Sequence, residues 1–173
     1  MKAYAVMDGG GVKGAALAGC LLAAEEAGIR FVGYGGTSAG SIVALLACVG
    51  YSGAELEHIM TAELKLGEFL KEVKPPLELL NKLPGDLEGL NVFNALYRLR
   101  KYQRTASALR EHFGIANCDG FVDALFELVQ RKLGKNLSKD FTFAQLRALN
   151  LPTLKIVASN LSNRQPHVFS ATD

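Results

Sequence analysis

The chain opens on a short apolar run at residues 3–7, bounded at once by three glycines, and such a run predicts a short buried strand. Ala15 to Ala27 is rich in Ala, Leu and Glu and reads as a helix closed by Gly28. Ile29 to Tyr34 is a second strand, ending in Gly35-Gly36, and Ser41 to Val49 is a second helix. That helix is apolar almost all round, so it is expected to be buried. Strand, glycine loop, helix, strand, glycine turn, helix is the alternation of an α/β fold with a parallel sheet and helices on its faces.

The middle of the chain has a different rhythm. Ala54 to Lys74 is helical in composition before Pro75-Pro76 and Pro84-Gly85 break it. Tyr97 to Phe113 and Phe121 to Leu133 show apolar spacings of three and four, which predict further helices. No strand pattern occurs between about residues 52 and 150, so this stretch reads as a helical insertion that could serve as a lid or simply pack on the sheet. Strand character returns at Leu154 to Ser159 and at His167 to Ser170. With no repeat or linker, the 173 residues read as one domain.

Composition removes several classes of function. A formal charge of +2 gives no electrostatic case for nucleic acid. Cys20, Cys48 and Cys118 form no C-x-x-C pair and no disulfide framework, and the apolar surroundings of Cys20 and Cys48 suggest small buried hydrophobes. The N-terminal apolar stretch is too short for a cleaved signal, and Ser41 to Val49 is too short to cross a bilayer. A soluble intracellular protein is expected, with export by a route lacking a cleaved signal left open.

Two glycine motifs carry the candidate chemistry. Gly36-Thr37-Ser38-Ala39-Gly40 has the form G-x-S-x-G and falls between a predicted strand and a predicted helix. A serine on such a turn projects its hydroxyl above the sheet edge, small neighbours let the chain fold tightly, and the following helix turns its positive end to the site. Asp8-Gly9-Gly10-Gly11-Val12-Lys13-Gly14 follows the first strand. Successive glycines can aim backbone N–H groups at one point, which suits an oxyanion. Gly9, Gly11 and Gly14 also satisfy G-x-G-x-x-G, the dinucleotide-binding pattern, although no acidic residue ends the second strand to hold a ribose.

With both motifs in place, the sequence resembles the patatin-like phospholipase family, whose members begin with a strand, a D-G-G-G-x-[KR]-G loop, a helix and a G-x-S-x-G elbow. The match in order and spacing runs from Asp8 to Gly40, with looser likeness through Phe141 to Leu146 and Val157 to Ser170. The resemblance implies a three-layer α/β/α fold with a mostly parallel sheet. It implies hydrolysis of phospholipids or related acyl esters by a Ser–Asp dyad, with no metal and no cofactor. Ser38 would be the nucleophile, and Gly9, Gly10 and Gly11 would form the oxyanion hole. Asp8, Lys13, Gly14, Gly36 and Gly40 would support the two motifs.

In the family the dyad aspartate lies in a D-G-[GA] motif beyond the last strands seen here. The Asp-Gly-Gly at Asp8 belongs to the oxyanion loop, Asp119-Gly120-Phe121 lacks the pattern, and Asp173 is the final residue. The chain is therefore expected to stop partway through the family's domain, and to be weak or inactive alone. A sheet cut short would leave an open edge suited to self-association or to a complementing segment. Among internal bases, His167 fits a Ser…Asp…His order after Asp119, Asp123 or Asp140, and also fits a surface histidine beside Pro166. His58 and His112 read as solvated helix positions. Tyr97 to Arg104 combines four cations with two tyrosines, and Leu77, Leu79 and Leu80 lie between prolines, so each could touch a membrane or be ordinary helix surface and core. A non-catalytic acyl- or lipid-binding protein and a nucleotide-binding domain remain as alternatives to the enzyme.

Overall fold

A computed structural model describes residues 1–10, 13–64, 118–134 and 136–171. The chain divides into two units, one of Met1–Lys65 with Asp123–Asp173 and one of Leu66–Val122. Most of the second unit lies outside the described residues, as do the expected helix at Tyr97 to Phe113, the cationic stretch at Tyr97 to Arg104, the leucines from Leu77 to Leu80, and His112.

The first unit is built on a four-stranded sheet in the order β1 (Lys2–Met7), β2 (Arg30–Thr37), β3 (Thr153–Asn160), β4 (Gln165–Phe169). β1, β2 and β3 run parallel, and β4 returns antiparallel from a tight turn at residues 161–164. The α/β class with a mostly parallel sheet is as expected. β2 differs from expectation in running on through Gly35 and Gly36 to Thr37, where Val6 and Met7 pair with the two glycines. Pro166 falls on β4, an edge strand of the described sheet, the position where a proline is tolerated.

Helices α1 (Gly14–Glu26) and α2 (Ala39–Cys48) follow β1 and β2. Both end in the same way. In α1 the N–H of Gly28 donates to Glu25 and that of Ile29 to Ala24; in α2 the N–H of Gly50 donates to Ala47 and that of Tyr51 to Leu46. This paired closure needs a left-handed residue after the helix, and Gly28 and Gly50 supply it at φ +76° and +103°. α2 packs against β1, β2 and β3, with Val43, Ala44 and Leu46 fully buried, as its all-round apolar sequence predicts. The Cys48 thiol donates to the Pro152 carbonyl (3.1 Å), fastening α2 to the entry of β3. Desolvation pushes that thiol up to about 11. Cys20 departs from expectation: α1 buries Gly14, Ala18 and Leu21, and Cys20 falls on the exposed side.

α3 (Gly53–His58) starts at a capping box in which Ser52 and Glu55 satisfy each other's backbone N–H. It runs into a π turn at Ile59–Glu63. After the undescribed segment come α4 (Asp119–Leu133) and α5 (Phe143–Ala148), the latter opened by a Thr142–Gln145 capping box. Between residues 52 and 150 the described residues form helices and loops only. One sheet face carries Tyr4, Val6, Val157 and Val168 exposed to solvent, with Val6 at 85%. Among the described residues no helix is long and apolar enough to cross a membrane.

Candidate active site

Ser38 sits at the carboxyl end of β2, immediately before α2, with φ 50° and ψ −125°. A non-glycine residue there carries strain of about 1–3 kcal/mol, held in place by its surroundings. Those surroundings are glycine backbone. A Cβ on Gly36 would lie 2.7 Å from the Ser41 nitrogen and closer still to the Gly40 carbonyl oxygen. A Cβ on Gly40 would lie 2.5 Å from the Met7 carbonyl oxygen and 2.6 Å from that of Asp8. Neither position has room for a side chain, so the pattern G-x-S-x-G is a steric requirement here. The close approach of Gly40 also locks the elbow onto the end of β1.

The first glycine loop meets the same point. A Cβ on Gly9 would come within 3.2 Å of the Ser38 Cβ, so the two motifs adjoin as the sequence suggests. The Lys13 N–H donates to the Gly10 carbonyl (2.7 Å), and the Lys13 methylenes lie across Gly10, where a Cβ would meet Cδ at 2.7 Å. Lys13 thus braces the loop. Gly10 takes φ +138°, and Gly14 opens α1 from a buried position beneath the tip of Met60. Gly11 lies outside the described residues.

Asp8 has a specific contact: its Oδ1 accepts from the Gly9 N–H at 2.7 Å. The Gly9 N–H is thus engaged by the carboxylate of its own neighbour. The Ala39 N–H, at the residue after Ser38, has no intrahelical acceptor because it lies in the first turn. The G-x-S-x-G pattern itself could have nominated Ala39. Ser41 was also missed: its hydroxyl donates to the Ser38 carbonyl at 2.5 Å, and its N–H donates to the same oxygen at 2.9 Å. A serine three residues past Ser38 is the available signal, since short hydroxyl side chains reach back to nearby carbonyls.

No candidate base is brought to the Ser38 hydroxyl among the described residues. His167 is exposed on β4, two strands away from β2, with its ring edge-on to Phe169 at 4.5 Å. His58 is exposed on α3. Asp123 pairs with Lys139, and Asp119 opens α4.

A sequence model of patatin-like phospholipases matches residues 5–172. The chain belongs to the patatin-like phospholipase family. Among curated proteins, it is 47% identical over 55 residues to the uncharacterized protein YqhO of Bacillus subtilis (strain 168), which covers 32% of this chain and 19% of that protein. Among solved structures, it superimposes on full-length ExoU, determined in complex with SpcU of the type III secretion system of Pseudomonas aeruginosa. There the TM-score is 0.50 at 26% identity, over 98% of this chain and 35% of ExoU. VipD of Legionella pneumophila gives a TM-score of 0.49 at 17% identity, over 98% of this chain and 39% of VipD. The chain thus spans about a fifth of the curated relative's length and about a third of these structures' chains. Among patatin-like phospholipases, lipid hydrolysis is the family-level activity, and the α/β fold matches.

Proposed function

We propose that this chain carries the nucleophile half of a lipid acyl hydrolase of the phospholipase A or lysophospholipase type, with Ser38 as the attacking residue. The observation that supports it most is the conformation of Ser38, held at positive φ between two glycines that admit no side chain. Strain maintained at one serine on a strand-to-helix turn is the arrangement that acyl transfer uses. Ser38 Oγ adds to the ester carbonyl carbon and its proton passes to a base. The carbonyl oxygen becomes an oxyanion facing the Gly10 and Ala39 N–H groups at the positive end of α2. Collapse expels the alcohol, which takes up the proton, and water then releases the fatty acid from Ser38 by the same steps.

Among the described residues no carboxylate or imidazole meets the Ser38 hydroxyl, and the family resemblance implies that the base is an aspartate in a D-G-[GA] motif. Removing the base in a serine protease costs roughly 10⁶-fold in turnover, so this chain alone should turn over esters slowly. The same observation favours a second reading, a protein that binds acyl groups at this site without catalysis.

The test pairs hydrolysis of a short-chain nitrophenyl ester with labelling by a fluorophosphonate, in wild type and Ser38→Ala. Slow labelling of Ser38 with near-background hydrolysis supports the incomplete hydrolase. Turnover that Ser38→Ala abolishes would show that the chain supplies its own base. A folded protein that binds fatty acid but never labels would favour the binding reading.

A further inference from the structure

Helix α3 and the π turn after it lie antiparallel on α1, and a glycine marks the close approach at each end. A Cβ on Gly53 would run into the backbone of Leu22, and a Cβ on Gly14 would collide with the ε-methyl of Met60. Gly53, Leu56 and Met60 share one stripe, at the i, i+3, i+7 spacing of a helix face. Gly53 and Leu56 are buried and Met60 is half-buried. The chain thus climbs from Leu22 back to Gly14, the first residue of α1, at the end of the sheet where Ser38 sits.

The π turn fixes where Met60 is delivered. The Leu64 N–H donates to the Ile59 carbonyl at 2.7 Å, and the Thr61 hydroxyl donates back to the Glu57 carbonyl at 2.7 Å. In a continuous α-helix the residue bonded to Ile59 would be Glu63; the wider turn substitutes Leu64. Ile59 and Leu64 are both buried at 2%, and Glu63 is left to pair with Arg131. Met60 is therefore held on a segment anchored by apolar residues on either side. Its methyl fills the space that a side chain at Gly14 would take. The residue before Gly14 is Lys13, whose N–H and methylenes hold Gly10 in the loop that adjoins Ser38.

We propose that Met60 is a positioning residue for the glycine loop, seating the first turn of α1 so that Lys13 keeps Gly10 in place for the oxyanion. The inference rests on the reading of Ser38 as the attacking residue. Two quantities are measured on the whole chain: hydrogen exchange of the Lys13 amide by NMR, and fluorophosphonate labelling of Ser38 across reagent concentrations. Met60→Ala should speed the exchange about fivefold or more. It should lower the maximal labelling rate about three- to tenfold, with the half-saturating concentration unchanged. Leu22→Ala trims the other end of the same helix pair and should leave both quantities at the wild-type value. Met60→Leu keeps the bulk and should restore both, and Met60→Val gives a milder truncation if Met60→Ala does not fold. Lys13 exchange unchanged in the truncated variant, or raised as much by Leu22→Ala, overturns the proposal. Faster exchange with labelling at the wild-type rate overturns it too. A wild type that never labels, with exchange responding as expected, sinks the reading of Ser38 and upholds the support of the loop by Met60.

Discussion

The serine elbow and the contact between α3 and α4 are held by opposite means. At the elbow, backbone touches backbone: Gly36 and Gly40 exist to remove side chains, and the geometry tolerates no added atom. Between α3 and α4, side chains meet across a helix pair. The Tyr51 hydroxyl donates to the Leu128 carbonyl at 2.8 Å, Lys132 bonds Glu55 at 2.8 Å and lies over the Tyr51 ring, and Arg131 reaches Glu63 at 2.5 Å. The first arrangement fixes a conformation. The second distributes modest attractions over several replaceable groups, most of them in reach of water.

The comparison breaks most visibly at the elbow. Gly40→Ala should destabilise the unit by about 3 kcal/mol or more, because the new methyl meets two carbonyl oxygens that belong to the end of β1 and cannot swing away. Urea unfolding would measure it, and a loss below about 1 kcal/mol would show that the elbow relaxes. Tyr51→Phe probes the other region at its best-buried bond. It should cost about 1–1.5 kcal/mol, since the Leu128 carbonyl loses its side-chain donor.

That contrast also explains what could be read from the sequence. Glycines that forbid side chains leave a pattern, so the tight turn from Gly36 to Gly40 and its approach to Gly9 were legible, as were the strands and helices joined to them. The exposure of Cys20 was not, because an alanine-rich helix gives little sign of which side faces inward. Nor was the α3–α4 contact, whose partners Glu55 and Lys132 are 77 positions apart and look like ordinary surface charges until the fold brings them together. The end of β2 was read short because glycine pairs suggest a turn, whereas here they let a strand pass beneath a helix start. The Ser41 hydroxyl escaped because motif reasoning stops at Gly40.

Ser41 offers a finer probe of the elbow. Ser41→Ala removes the 2.5 Å bond to the Ser38 carbonyl but keeps the backbone bond to the same oxygen, so the stability cost should stay near 1 kcal/mol. If the hydroxyl helps to hold Ser38 at positive φ, fluorophosphonate labelling of Ser38 should slow about two- to fivefold. Ser41→Thr, which keeps the hydroxyl, should restore the rate. Equal labelling in all three proteins would confine Ser41 to a structural role.

The smallest effect is expected at Lys132. Its bond to Glu55 is part-exposed, with 47% of the Glu55 side chain open to solvent, so Lys132→Met should cost less than about 1 kcal/mol. The pH dependence makes it measurable. The hydrogen bond from Lys132, helped by the Ser52 N–H, holds the Glu55 carboxyl below its ordinary 4.5. A carboxyl lowered in the folded state stabilises the fold above its unfolded value, and that contribution is lost as pH falls through the lowered value. The advantage of wild type over Lys132→Met should therefore hold at neutral pH and shrink steadily below pH 4.5. Urea midpoints for both proteins across this interval would show it. A difference that stayed level as Glu55 became protonated would mean that Lys132 acts through its packing on the Tyr51 ring, 4.5 Å from the ring centre, and not through its charge on Glu55.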